Sequence, residues 1–463
     1  MRRRARLLVT HVCLLLTIWA PPAMTSNASP AGPRDRLPVD EYVEAYRIFD
    51  MGRNGGLGYS ESADAAQLGW GESYVLADYV YMWRVTGDAS WLRKLRDHAD
   101  ALFASMSDHD GDGYSGWQTD RYSVALAEVA FAGEGAGLLD VQERISDIQA
   151  AHAVTGHTYR IAFGADGGYT VADTSTGERQ SHPATDGALD GVPGVRIALR
   201  GAPRRGDTYT IHTTAVEPLE YLIHEGMLLH PIALFIEAAM AGEDEALRVD
   251  AQRYLGLMRD NFAPKWDRCW VEMPGARGAY AAPDSPAERT PGRVLPHNQY
   301  AMHAQAYSVL DPFLPSLRLG DRAHRMAENF RSHMRVAGNA YSWNYWDWDG
   351  GHSGPEDSSH AAINVGLVIE GARRGFVFDE GDASRVARTL LDIMWNGSLT
   401  APNVGDRVDS AKGDTYFTLR RWSELAAYDP KVWDVCLAVF RQRGEPPADI
   451  PTMLHAQKGL ADD

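Results

Sequence analysis

Apolar residues recur at intervals of three and four through most of the chain from Val39 onward, with polar residues between them and Gly, Asp or Pro at the breaks. Residues 73–85 show this spacing, Gly87 and Asp88 close it, and 91–106 begins the next stretch. The same rhythm predicts helices at 123–136, 138–153, 219–241, 246–262, 300–310, 322–336, 360–374, 383–395, 416–428 and 431–440. Roughly a dozen helices on short connections, without strand–helix alternation, predict a mainly α fold: an (α/α) toroid or barrel of about six to seven helical hairpins. No strict repeat motif is visible, so an α-solenoid stays open as the alternative.

One segment departs from this rhythm. Between 156 and 214 the residues alternate, are rich in β-branched types and are punctuated by Gly, Asp and Pro, which predicts short strands at 158–163, 168–171, 195–199 and 207–211. The wording of this β-rich insert resembles β-domains of flagellar hook-associated proteins. It reads equally as a lid or accessory module and as a decoration on a long loop. The expected organisation is a leader at 1–28, a helical catalytic domain at 29–155 and 215–445, the insert at 156–214 and a C-terminal tail at 446–463.

The leader rests on Arg2, Arg3, Arg4 and Arg6, an apolar run from Leu7 to Ala20 and small residues around Ser26, Asn27 and Ala28, the layout of a secretory signal peptide. Cys13 lacks the small-residue context of a lipid anchor, and no later stretch offers ~20 uninterrupted apolar residues. The expectation is a secreted, extracellular protein with no membrane attachment after cleavage. Cys269 and Cys436 remain, so there is no disulfide scaffold, although export permits one bridge between them. The formal charge of −17 argues against nucleic acid as a partner and requires any site for an acidic glycan to supply its own cations and amide donors. Thirteen Trp and twenty Tyr are enough to furnish sugar-stacking platforms as well as core.

Three clusters carry candidate chemistry. His224, Glu225, Gly226 and Met227 open a helix, where a neutral imidazole beside a cleft can serve as a base. Arg293 to Tyr300 puts a guanidinium, the His297 imidazole, the Asn298 and Gln299 amides and a phenol into one short arc, a density of polar groups that few cores accommodate. Tyr341, Trp343 and Tyr345 interleave aromatics with amide and carboxylate, and lead to Glu356, Asp357 and His360 at the start of a helix whose face His360 shares with Asn364. Glu356 and Asp357 also suit a purely capping role. Trp70 joins the candidate sugar-binding aromatics.

No zinc-type spacing and no Gly-rich phosphate loop is present, so no cofactor is expected. Asp108, Asp110 and Asp112 match the first half of a calcium loop, but Thr119 stands where its bidentate Glu belongs and an Asp/Gly turn needs no metal, so calcium stays open as the alternative to no cofactor.

The order His224-Glu225-Gly226-Met227, then Leu295-Pro296-His297-Asn298-Gln299, then Tyr341-Ser342-Trp343-Asn344-Tyr345 followed by Glu356-Asp357-Ser358-Ser359-His360, is similar to α/α-toroid polysaccharide lyases acting on uronate polymers such as glucuronan and alginate. The resemblance covers the helical part and omits the β-rich insert. It implies an acidic polysaccharide substrate cleaved by β-elimination, in which donors hold the uronate carboxylate, a base takes the C5 proton and an acid protonates the leaving oxygen. On that scheme Asn298 and Arg293, with Gln299 as substitute, hold the carboxylate. His224 is the base, with His297 and His360 as contenders, and Tyr300 is the acid. Glu225 orients an imidazole or binds a sugar hydroxyl, and Trp70, Tyr341, Trp343, Tyr345, Asp357 and Asn364 complete the substrate-binding set.

Three other readings remain open at this stage: a glycoside hydrolase using paired carboxyls among Glu225, Glu356 and Asp357, a uronyl C5-epimerase, and a glycan-binding toroid without catalysis.

Overall fold

Two long helices occupy the centre of the molecule because neither has a solvent face to present. In a computed structural model, which describes residues 34–133, 138–185, 187–413 and 417–460, the helix Leu222–Ala241 is apolar all round and buried along nearly its whole length, including its polar residues His224, Glu225 and His230. It is long and apolar enough to cross a membrane by length alone, yet 94% of its apolar window is buried inside the protein, as in a core helix. Helix His297–Leu310 packs along it and is flanked in turn by Leu319–His333 and Ser358–Arg374. The expected leader, 1–28, lies outside the described residues.

Amphipathic helices surround this pair. Ser73–Thr86 packs against Ser90–Ala104, and Leu222–Ala241 packs against Glu245–Leu257. Within the expected tail at 446–463, Ile450–Lys458 is a buried helix lying on Ser73–Thr86. Gln457 ties it to the start of the described chain, accepting from the Leu37 N–H at 2.6 Å and donating to the Leu37 carbonyl at 3.1 Å.

The molecule is not the α/α toroid that its periodicity predicts. Helix makes up 47% and strand 18%, with several antiparallel sheets, so the fold is mixed α/β. The correction is largest at 123–153. The two helices expected there are replaced by strands β1 (Ala125–Ala132), β2 (Leu138–Val141) and β3 (Arg144–Ile145), and by one short helix, Ile148–Ala153. Up to residue 214 the strands that follow are β4 (Thr158–Phe163), β5 (Tyr169–Asp173), β6 (Arg179–His182), β7 (Ala188–Leu189), β8 (Ile197–Arg200) and β9 (Thr208–Thr214), and three two-stranded antiparallel hairpins lie farther along the chain.

Ala, Leu and Glu give β1 a helical propensity, but antiparallel pairing with the β-branched strand β9 overrides it, with Val129 opposite Ile211 and Phe131 opposite Tyr209. The main sheet runs β3-β1-β9-β4-β5-β6 and a smaller one runs β2-β8-β7. Ile145, Ile161, Val171, Tyr209 and Ile211 form a second hydrophobic core, separate from the helical one. The β-rich part thus begins well before residue 156. The helix expected at 416–428 is a short 3-10 segment, Ser423–Ala427, with Tyr416 outside the described residues.

Candidate active site

A cavity of about 590 Å³ opens where the N-terminal ends of three core helices meet. Leu222–Ala241 brings His224, His297–Leu310 brings Asn298 and Gln299, and Ser358–Arg374 brings Ser359 and His360. Trp70, Tyr74, Tyr122, Tyr221, Trp266, Tyr345 and Trp346 supply an aromatic wall. Three clusters separated by whole helices in sequence therefore share one hollow.

His224 is the most unusual group in it. Its side chain is 2% exposed, neither ring nitrogen has a hydrogen-bond partner, and Trp70, Tyr122 and Tyr221 surround the ring at centroid distances of 5.6, 5.6 and 5.5 Å. Burial pulls its pKa down to about 4, so the imidazole is neutral at ordinary pH, one ring nitrogen carrying its proton and the other able to accept one. Gly69 makes room for it: a Cβ there sits 2.8 Å from His224 Cδ2, within a π-helical turn, Leu68–Glu72. Asn298, 1% exposed, leaves its Oδ1 equally unpartnered.

His360 stands on the opposite wall. Its Nδ1 lies 2.5 Å from Oδ2 of Asp357, whose other oxygen accepts from the Ser359 and His360 backbone N–H groups at 3.1 Å each and so caps the helix. Those bonds hold the Asp357 carboxyl well below its usual range, with His360 the largest favourable partner set against burial. The Tyr345 ring is 5.3 Å from His360 and its hydroxyl meets Gln299. Burial pushes the Tyr345 phenol up to about 12, which keeps it protonated.

Charge in the cavity comes from residues the sequence patterns did not single out. Arg121 and Arg289 both line it, and neither makes an ion pair with a carboxylate among the described residues. Arg121 lies 5.7 Å over the Tyr122 ring, and Arg289 donates to the Ser146 carbonyl at 2.8 Å. Glu220 and Glu288 face the same space, and burial raises each carboxyl to about 7, assisted at Glu220 by the neighbouring Glu225. The β-rich part holds the loop carrying Glu288 and Arg289. Arg144 at the end of β3 donates to the carbonyls of Pro286, at 2.8 Å, and Glu288, while Val124 donates to Ala287 at 2.8 Å.

Several expected site residues are placed elsewhere. Tyr300 is fully buried and its hydroxyl is engaged by His297 Nδ1 at 2.6 Å and Asn329 at 3.0 Å. His297 completes that chain through Nε2 to Asp347 at 2.9 Å. Neither lines the cavity, so neither is positioned as acid or base. Arg293 is exposed and outside the cavity wall, whose arginines are Arg121 and Arg289.

Glu225 lies outside the wall as well, bound to Lys265 and accepting from Trp266 Nε1 at 2.7 Å. Trp343 and Asn364, read as sugar contacts, both donate to the buried Glu356, Asn364 at 2.7 Å, and Tyr341 donates to Asp382 at 2.8 Å. These three are scaffold. Asp357 lies outside the cavity wall, hydrogen-bonded to His360.

The Asp108, Asp110 and Asp112 carboxylates approach within 4.8 Å of one another. Arg268 bridges Asp110 at 2.9 Å and Asp112 at 3.1 Å, and Asp108 caps the Gly111 and Gly113 N–H groups at 2.8 and 3.1 Å. Cys269 and Cys436 are both free and buried.

No family model matches the chain, and no curated protein matches it. Two crystal structures of FlgL from Xanthomonas campestris, in space groups C2 and H3, align with 46% of this chain at 17% and 16% identity. They are covered over 81% and 80% of their own length with TM-scores of 0.16 and 0.15, a likeness too slight to support an argument about fold or function.

Proposed function

We propose that this protein is an exported polysaccharide lyase that cleaves a uronate-containing chain by β-elimination in the cavity around His224. The observation that carries the reading is the pair of guanidiniums, Arg121 and Arg289, left without carboxylate partners among the described residues in the same hollow as the unpartnered His224 imidazole. In a chain of net charge −17, such cations suit an anionic ligand. Since the fold is not the toroid of the lyases whose motifs the sequence resembles, the reading rests on this chemistry.

In the proposed reaction Arg121, Arg289 and Asn298 hold the uronate carboxylate and stabilise the charge that grows on it as C5 loses its proton. Neutral His224 accepts that proton. The electron pair forms the C4–C5 double bond, the C4–oxygen bond breaks, and the departing oxygen takes the proton of Tyr345. A bound carboxylate next to His224 offsets the cost of charging a buried imidazole, so the base strengthens when substrate arrives. His360, oriented by Asp357, sits beside Tyr345 to bind a sugar hydroxyl or to restore its proton.

The test is the ultraviolet absorbance of unsaturated uronate released from acidic polysaccharides by the wild type and by His224→Ala. Absorbance that rises for the wild type alone supports the proposal; none for either protein, with every candidate polymer, removes it.

A second reading has one specific support: Glu220 and Glu288, both raised to about 7, are carboxyls of the kind that protonate a glycosidic oxygen. A hydrolase would release saturated products with new reducing ends.

A further inference from the structure

We infer that the substrate alternates acidic and uncharged sugars: a uronate seats beside Arg121 and Arg289, and its neighbour, a sugar without a carboxylate, seats in an adjoining hollow walled by Glu220, Asp284 and Glu288. The inference rests on the cavity being a uronate site, and it narrows the substrate class. The hollow measures about 360 Å³ and shares Glu220, Trp266, Pro283 and Glu288 with the cavity wall, so the two spaces adjoin.

The two spaces differ in electrostatics. In the cavity Arg121 and Arg289 have no carboxylate partner among the described residues. In the hollow both cations are already paired: Lys265 with Glu220 at 2.8 Å and with Glu225, Arg268 with Asp110 at 2.9 Å and Asp112 at 3.1 Å. Asp284 and Glu288 have no ion-pair partner among the described residues. The Glu220 side chain is 8% exposed, yet its Oε1 has no hydrogen-bond partner.

The hollow therefore presents acceptors, which suit the hydroxyl or acetamido N–H groups of an uncharged sugar. A second uronate there would set its carboxylate against Asp284, an acid that lines the hollow and not the cavity, with Lys265 and Arg268 already paired. Like-charge juxtaposition of this kind rejects a wrong partner more effectively than added contacts select a right one. The preference is for a heteropolymer over a pure uronan.

The probes are two tetrasaccharides, one alternating glucuronate with N-acetylglucosamine and one of glucuronate alone. They are titrated against the His224→Gln chain, and unsaturated product is followed with the wild type. The alternating probe is expected to bind at least ~10-fold tighter. Asp284→Lys, a change at an exposed position, is expected to narrow that gap to about threefold or less. Equal affinity, or preference for the homopolymer, overturns the inference and leaves elimination standing wherever unsaturated product forms. Preferential binding of the alternating probe without unsaturated product upholds the inference and removes the elimination reading. Binding of neither probe overturns both.

Discussion

His360 and Asp357 face each other across one helical turn, Nδ1 to Oδ2 at 2.5 Å, with the same carboxylate capping the helix that carries them both. One residue therefore aims an imidazole and anchors its backbone. The two duties separate by substitution. Asp357→Asn retains a capping oxygen and is expected to keep the melting temperature within a few degrees while kcat falls roughly 100-fold, because the ring loses its anionic partner. Asp357→Ala is expected to lose the same activity and about 1 kcal/mol of stability besides. Thermal melts beside initial rates read both quantities. Equal rates in Asp357→Asn and wild type would remove His360 from the reaction.

Two tyrosines are expected to respond oppositely. The Tyr300 hydroxyl is locked between His297 and Asn329 away from the cavity, so Tyr300→Phe is expected to cost about 1–2 kcal/mol of stability and leave kcat within a few-fold. Tyr345 lines the cavity with its proton retained, so Tyr345→Phe is expected to lower kcat by about 100-fold or more with little change in stability. Denaturant titration and initial rates on the two variants check this; the reverse order of damage would return the acid role to Tyr300.

Because Arg121 and Arg289 support no ion pair among the described residues, removing them is inexpensive for folding. Arg121→Ala and Arg289→Ala are each expected to raise KM for an acidic polysaccharide by about 10-fold or more, with melting temperatures near that of wild type. Raising salt should weaken wild-type binding and narrow the difference, since exposed charges are screened over about 10 Å at 0.1 M. KM measured at two salt concentrations tests the pair, and a KM indifferent to both substitutions contradicts an anionic substrate.

The buried titratable groups set opposing slopes of stability against pH. Glu288 moves from 4.5 to about 7 on folding. As pH rises from 4.5 to 7 the unfolded chain releases a proton that the folded chain keeps, so stability falls across that window, by an amount on the order of a few kcal/mol. His224 moves the other way, from 6.5 to about 4, so stability falls as pH drops through that range. Glu288→Gln is expected to raise the melting temperature at pH 8 and change it little at pH 4.5, and His224→Gln to blunt the loss in acid. Melts across pH 4–8 decide both, with parallel curves for wild type and variants as the contrary result.

How far the sequence reaches depends on whether local pattern or distant pairing decides a segment. Ser358–Arg374 is visible from periodicity because a buried stripe defines it, and Leu222–Ala241 from the length of its apolar run. The 123–153 stretch is not, since its helical composition yields to pairing with β9 much later in the chain. The site shows the same divide. The polar density around Asn298 marks a functional arc, but Asn298 and Tyr300 are two residues apart, about 200° around the helix axis, and only one of them faces the cavity. Arg121 and Arg289 lie on loops whose approach to His224 is set by tertiary structure, and no local spacing announces them.

The most direct measurement follows C5 and C4 of the uronate at once, by mass spectrometry and ultraviolet absorbance of products formed in heavy water from an acidic heteropolysaccharide. The account predicts new chain ends carrying a C4–C5 double bond, formed by the wild type and lost in His224→Ala. Saturated ends bearing a solvent hydroxyl, or deuterium at C5 in uncleaved chains, would contradict it.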